Sequence, residues 1–280
     1  MGGLAESIEY YASMVVERAN VELLALALAI YTLSLIFSSL RWLTASRIQY
    51  TIANVMGAVE SLLVGIFVNN LATFYNITGE VTRVAWASLR LRVGSSRLLV
   101  GALAERASEV PVALLYIVFS ATPILKLSLV AIPLIAIVKS YVSSMLRALR
   151  DLASSPSRLA LVLALSLALW LLDTLRIMVV ASAFNVKLEF TVALGLTVIH
   201  VTSRFSPIPA GLGVLEGGFA GYLKLAGIPL SDSALVILGE RLISTIIPTT
   251  IGGLIVFYRG GLGILKSAVR GVLLESGYGN

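Results

Sequence analysis

Long apolar runs dominate this chain, and they leave the bilayer as the solvent in which it can fold. Runs of spanning length occupy Val21–Leu40, Thr51–Tyr75, Leu98–Phe119, Leu127–Leu146, Leu159–Phe184, Phe190–Phe205 and Ser233–Tyr258. A helix rises about 1.5 Å per residue, so about 20 residues cross a hydrocarbon core of ~30 Å. Charged residues are 13% of the 280, against about a quarter in soluble domains, and mean hydropathy is +0.95. The expected fold is all-α: one polytopic helical membrane domain over residues 1–280.

The 21 Lys+Arg exceed the 15 Asp+Glu by six. In an apolar chain this excess fits basic cytoplasmic loops and anionic headgroups, and no nucleic-acid partner is expected. Cysteine is absent, which excludes disulfides and thiolate metal sites. The first apolar run follows Glu6, Glu9 and Glu17 rather than a basic leader, so it reads as a retained helix.

Phe190–Phe205 is short and ends at Ser206-Pro-Ile-Pro-Ala-Gly-Leu-Gly213, where Pro207, Pro209, Gly211 and Gly213 stop a helix. The next apolar stretch, Gly213–Ala226, is too short to span, which is the pattern of a re-entrant hairpin. Loop charges extend the idea. Arg41 and Arg47, Arg83 to Arg97, Lys139 to Arg158, and Arg259 to Arg270 form four basic groups. All four share the cytoplasmic side only if Thr51–Val93 enters and leaves from inside and Phe190–Ala226 from outside. Thr51–Tyr75 is long enough to cross fully, so the first hairpin has a fully spanning alternative. The chain is expected in the cell membrane, with its N-terminus outside and its C-terminus cytoplasmic.

The two hairpins share a spacing. Glu80 precedes Glu105-Arg106 as Glu216 precedes Glu240-Arg241, and a proline follows each Glu-Arg pair, at Pro111 and Pro248. Two repeats, about 51–120 and 188–258, are expected to be inverted relative to each other, a layout that places a transporter's site at mid-membrane.

Glu60, Glu105, Arg106, Glu109, Asp173, Arg176, Arg204, Glu216, Glu240 and Arg241 all fall in or beside apolar segments. A charge at the bilayer centre costs about 2.5–3.5 kcal/mol even on lenient scales, so these must face protein or water. Asp173 and Arg176, three apart, read as a structural pair. Adjacent helical residues point about 100° apart, so Glu105 cannot simply neutralise Arg106, and each should reach a hairpin. A helix beginning at Gly211–Gly213 would offer unpaired N–H groups to phosphate or carboxylate, with Arg204 beside it. A capped kink is the alternative, with Gly213, Gly217 and Gly221 serving only close packing. Asn69, Asn70, Glu80 and Arg83 supply comparable polar groups in the first half.

His200, the one histidine, has no carboxylate near it in sequence and reads as a buried, satisfied side chain rather than a proton relay. No nucleotide, hydrolase or metal motif is present, so no cofactor and no metal are expected. Thr78–Arg92 is amphipathic and suits the inner interface, beside anionic lipid.

Ser39-Leu-Arg-Trp-Leu, Asn69-Asn70 with Gly79-Glu-Val-Thr-Arg83, Ala104-Glu-Arg and above all Pro207-Ile-Pro-Ala-Gly-Leu-Gly-Val-Leu-Glu216-Gly-Gly resemble the lysylphosphatidylglycerol synthase transmembrane family, also called flippase-like domain proteins. The resemblance covers nearly the whole chain. The family often begins one helix earlier, so Met1–Asn20 is expected to follow a missing first helix. Members that make aminoacylated lipid also carry a soluble transferase domain, which this sequence lacks, so synthase activity does not carry over. What the resemblance implies is translocation of a phospholipid or lipid-linked headgroup.

The expected function is therefore a flippase-like transporter rather than an enzyme, its partners membrane lipids of anionic or lipid-linked phosphate type. Its headgroup site would draw on Asn69, Asn70, Glu80, Arg83, Glu105, Arg106, Arg204, Pro207, Pro209, Gly211, Gly213, Glu216, Glu240 and Arg241. One alternative is a membrane-embedded transferase, or the membrane half of one, with a soluble transferase partner in another chain. A second is a small-solute or ion transporter.

Overall fold

The computed structural model describes residues 18–71, 77–120, 150, 152–203, 211–259 and 263. The apolar run at Leu127–Leu146 lies outside them. Among the described residues the chain is all helix and turn: α1 (Val21–Ala45), α2 (Ile52–Leu71), α3 (Ile77–Leu91), α4 (Ser95–Phe119), α5 (Pro156–Ala183), α6 (Phe190–Ser203), α7 (Val214–Leu225), α8 (Leu230–Arg241) and α9 (Ile247–Arg259). A π-helical turn, Leu242–Ile246, joins α8 to α9 into one 30-residue span. It lies just ahead of Pro248, which has no N–H to donate into the helix.

Four segments are long and apolar enough to cross a membrane: α1, α2, α5 and the α8–α9 span. Their outer faces are large and greasy, with Leu26, Leu33 and Ile36 on α1, Leu167, Leu171 and Leu175 on α5, and Ile251, Leu254 and Phe257 on α9 all exposed. Such faces need lipid around them. This is a helical membrane protein.

Serine and threonine hydroxyls inside these helices mostly bond the carbonyl one turn back, as Ser39 does to Leu35, Ser61 to Gly57 and Thr174 to Trp170. Local bonding satisfies a donor that hydrocarbon cannot.

Helices α1 and α5 pack along each other in opposite directions. Asn20 N donates to Ala183 O at one end, the Arg176 guanidinium lies 5.5 Å from the Tyr31 ring in the middle, and Arg41 Nη1 donates to Ser166 Oγ farther along. Helices α2 and α3 form an antiparallel hairpin, with Gly65 against Gly79 near the tip and Glu60 bonded to Trp86 toward the base. Helices α6 and α7 form another, Gly195 facing Tyr222 and Gly218 facing Ile199. At about 1.5 Å per residue, α3, α6 and α7, with 15, 14 and 12 residues, are too short to cross a ~30 Å core, whereas α2, with 20, is long enough.

Among the described residues Arg47, Arg90, Arg97 and Arg259 gather at one end. Arg97 Nε donates to Ser46 O at 2.6 Å and its Nη2 to Arg47 O; Arg90 and Arg259 both approach Glu60, at 3.0 and 3.6 Å; Leu152 packs on Ala45. Both outer ends of the α2–α3 hairpin lie at this end. The α6–α7 hairpin opens toward the other, where Asn20 meets Ala183 and Arg18 meets Asp232 at 3.3 Å.

The element order recurs. Helix α5 begins 135 positions after α1 (156 less 21), and α8 begins 135 after α4 (230 less 95), with a helical hairpin between in each case.

Candidate ion-pair networks in the membrane core

The charged residues of the apolar segments fall into two networks, one in each half. In the first, Glu105 on α4 is 2% exposed and sits between two guanidiniums. Arg41 Nε on α1 donates to Oε1 at 3.2 Å, and Arg83 Nη2 on α3 donates to Oε2 at 2.7 Å. Arg41 also donates to Glu109 Oε1 at 2.9 Å. The Arg83 guanidinium lies over the Trp42 ring, 4.2 Å from its centre, a stacking that suits a weakly hydrated cation. Arg106 turns the other way and meets Glu80 on α3, with Glu109 Oε2 3.4 Å away. Glu80 Oε2 lies 3.3 Å from Arg83 Nε. Three arginines and three glutamates thus balance.

In the second network Glu240 on α8 is fully buried, and Arg176 on α5 grips it in a fork. Nη2 meets Oε1 at 2.7 Å and Nε meets Oε2 at 3.3 Å, the paired geometry that makes arginine–carboxylate contacts strong. Arg176 Nη1 donates to Asp173, one turn back on α5. His200 Nδ1 on α6 lies 3.3 Å from Glu240 Oε1, and its Nε2 lies 3.5 Å from Arg176 Nη2. Arg241 turns away to the α6–α7 hairpin, where its Nε donates to Glu216 Oε1 at 2.7 Å and its Nη2 to Gly211 O at 3.3 Å.

The central pairs of the two networks share a spacing, and the flanking pairs nearly do. Arg41 and Glu105 are 64 residues apart, and so are Arg176 and Glu240. Glu80 and Arg106 are 26 apart, Glu216 and Arg241 25. Each network has a dry centre and a wetter flank. Side-chain exposure is 2% for Glu105 and 0% for Glu240, but 26% for Glu80 and 34% for Glu216.

The expected site residues that are described each have a definite place. Glu80, Arg83, Glu105 and Arg106 form the first network; Glu216, Glu240 and Arg241 belong to the second. Asn69 caps a neighbour: its Oδ1 accepts the Gly79 N–H at 2.7 Å, closing the start of α3. Asn70 Nδ2 donates to Thr249 Oγ1 at 2.5 Å. Thr249 bonds Thr245 O, and Arg241 Nη1 reaches Thr245 Oγ1 at 3.5 Å. A polar chain therefore links the first hairpin to the second Glu-Arg pair. Arg204, Pro207 and Pro209 lie outside the described residues.

Gly211 and Gly213 have φ of 61° and 80°, left-handed backbone that glycine adopts without strain. The helix start they form is already in use, because Glu216 Oε2 accepts the Gly213 N–H at 2.6 Å. An incoming anion there has to displace that carboxylate. A cavity of about 470 Å³ opens elsewhere, between the end of α1 and the start of α4, and is lined by Ala45, Ser46, Arg47, Ser96, Arg97 and Val100. None of the expected site residues lines it. Among the described residues no group of three His, Asp or Glu side chains is placed to hold a metal ion.

Sequence reasoning missed Arg41, which reads as a loop charge yet is 5% exposed at the heart of the first network. It also took Asp173–Arg176 as a local pair and gave His200 no carboxylate, whereas folding brings Glu240 to both. The shared spacing of 64 residues is the signal that would have found both arginines.

Comparison with known proteins agrees with this architecture. Residues 131–252 match the family described as lysylphosphatidylglycerol synthase TM region. The resemblance read in the sequence is shown there, over a stretch that holds the second network. A UPF0104 membrane protein of Methanothermobacter thermautotrophicus is 28% identical over 123 residues, 44% of this chain and 36% of the relative, so that match spans about a third of the relative's length. A UPF0104 membrane protein of Pyrococcus horikoshii is 23% identical over 293 aligned positions, covering 85% of this chain and 88% of the relative. No solved structure matches.

Proposed function

We propose that the protein is a flippase-like transporter that passes the anionic headgroup of a phospholipid or lipid-linked phosphate between leaflets. The observation that carries this reading is the pair of wetter flanks, Glu80–Arg106 and Glu216–Arg241. Each joins a hairpin to the helix of a Glu-Arg pair, and in each a guanidinium has a partly exposed carboxylate among its partners. A phosphate is a better fork partner for arginine and can take the carboxylate's place. The dry centres hold the scaffold while the flanks exchange.

An inverted repeat fits this role. Helices α1 and α5, which correspond across the 135-residue spacing, run antiparallel, and the two hairpins open toward opposite ends of the bundle. In this reading both hairpins are re-entrant and meet near the midplane, where alternating exposure of Arg106 and Arg241 serves one leaflet and then the other. The gathered basic end is cytoplasmic, which leaves the N-terminus outside in the cell membrane.

The test is reconstitution into vesicles carrying fluorescent phospholipid or polyprenyl phosphate in one leaflet. Transport appears as labelled lipid becoming accessible to an external quencher. Glu216→Gln and Arg241→Gln should abolish it while the protein still purifies as a folded species; normal transport in both removes these residues from the site. Failure of the wild type with every lipid tried removes the transporter reading.

A further inference from the structure

The two networks differ in what flanks the buried glutamate. Glu105 is held between Arg41 and Arg83, two permanent cations. Glu240 is held by Arg176, one permanent cation, with the His200 ring, which can gain or lose a proton, 3.3 Å away. Shifted by 135 positions, the place of His200 is Gly65 and that of Asp173 is Ser38, so neither the switchable ring nor the extra carboxylate has a counterpart in the first half. Glu109 corresponds to Ser244. The first network balances three arginines against three glutamates. Among the described residues, the second sets Arg176 and Arg241 against Asp173, Glu216 and Glu240, one positive charge short unless the ring is protonated.

We propose that His200 is the proton site of the transporter, and that a proton bound there and released to the other side drives headgroup movement. This rests on the transport reading. His200 is 4% exposed, and among the described residues a proton on its ring would offset the extra carboxylate around Arg176. The groups facing the ring and its partners are Glu240 on α8, Arg176 and Asp173 on α5, Tyr31 on α1 and Tyr116 on α4 beside Asp173, while Tyr222 on α7 packs on Gly195 of the same helix as His200.

The geometry supplies a linkage. Arg176 Nη2 has only N–H groups to offer, so at 3.5 Å it favours an unprotonated Nε2. A proton arriving at Nε2 sets N–H against N–H, and the guanidinium must withdraw from the ring toward Asp173. The ring is then an imidazolium whose Nδ1–H faces Glu240. Because Glu240 and Arg241 are adjacent on one helix, a shift of the Glu240 clasp is felt at the Arg241 flank, one residue away.

His200 is the single histidine of the chain, so its imidazole nitrogens can be read without ambiguity by NMR in protein labelled only at histidine and placed in lipid nanodiscs. Spectra recorded between about pH 5 and 8 should show both the protonated and the neutral ring if it is the proton site. In vesicles with a pH difference of one unit and labelled phospholipid, wild type should build a leaflet asymmetry of up to about tenfold, the limit for one proton per lipid. His200→Gln and His200→Arg should build none. A ring that stays in one state across that range overturns the proposal, as does transport that ignores both the gradient and the substitutions. If wild type moves no labelled lipid under any gradient, the transport reading falls and the coupling falls with it, whereas lipid movement without gradient dependence sinks the coupling alone.

Discussion

Arg176 and Glu240 form a fully buried, two-pronged ion pair that ties α5 to α8, with side chains 0% exposed on both sides. Neither partner has water to fall back on: without Arg176 both Glu240 and Asp173 lose their guanidinium, and without Glu240 the guanidinium keeps only Asp173.

That pair should behave asymmetrically under mutation. Glu240→Gln or Arg176→Gln alone is expected to cost about 3–5 kcal/mol, the usual penalty for stranding a buried charge. The double variant Arg176→Met with Glu240→Leu, with singles and double all made in an Asp173→Asn background so that no carboxylate is stranded there, should recover most of it. Thermal unfolding of purified protein in detergent, arranged as a double-mutant cycle, reads the difference; equal losses in the single and double variants would show that the pair matters through its shape rather than its charge.

The Asn69–Gly79 bond should govern the start of α3. Asn69→Ala removes the acceptor at 2.7 Å and is expected to cost about 1 kcal/mol, as loss of a helix cap does. Hydrogen exchange at Gly79 should then run roughly fivefold faster, with little change along α5. An unchanged rate would mean that another group takes over the cap.

Gly252 lets α9 lie against α2. A Cβ there would meet the Leu63 backbone, with its carbonyl carbon 2.8 Å away, and Phe67 Cβ at 2.9 Å. Gly252→Ala is therefore expected to destabilise by about 1–3 kcal/mol through overpacking. Gly217→Ala, which meets open space, should leave the melting temperature in place. If the two variants melt alike, the close approach of α2 and α9 is not a constraint.

The absence of cysteine makes topology directly measurable. Single cysteines at Gln49 and Arg92 should react with membrane-impermeant maleimide only from the cytoplasmic side, and at Lys187 and Ala226 only from outside. Reaction of Gln49→Cys and Arg92→Cys from opposite sides would mean that α2 crosses fully and that the first hairpin is not re-entrant.

Much of the fold is legible in the sequence because the bilayer imposes length and polarity so strictly. Apolar runs locate α1, α2, α5 and α9, and the glycines at 211 and 213 locate a helix start. The partners of Glu105 and Glu240 are another matter. Pairing across 64 residues depends on α1 packing against α4 and α5 against α8, and no local pattern encodes that. Arg41 shows the limit best, since its position at the edge of an apolar run is as natural for a loop charge as for a buried anchor. His200 shows the same limit from the other side: a lone imidazole acquires a role only when folding brings Glu240 and Arg176 to its two nitrogens.

The hydroxyls that bond back to their own helices bear on movement. Ser34, Ser39, Thr44, Ser61, Ser182 and Thr202 carry their bonds along with the helix they belong to, so one helix can slide past another without unmaking them. Apart from a few contacts such as Thr174–Thr197 and Ser108–Ser166, resistance to such sliding comes chiefly from the guanidinium–carboxylate clasps. In the transport reading proposed above, the greased interfaces would set how far the hairpins travel, and the clasps when.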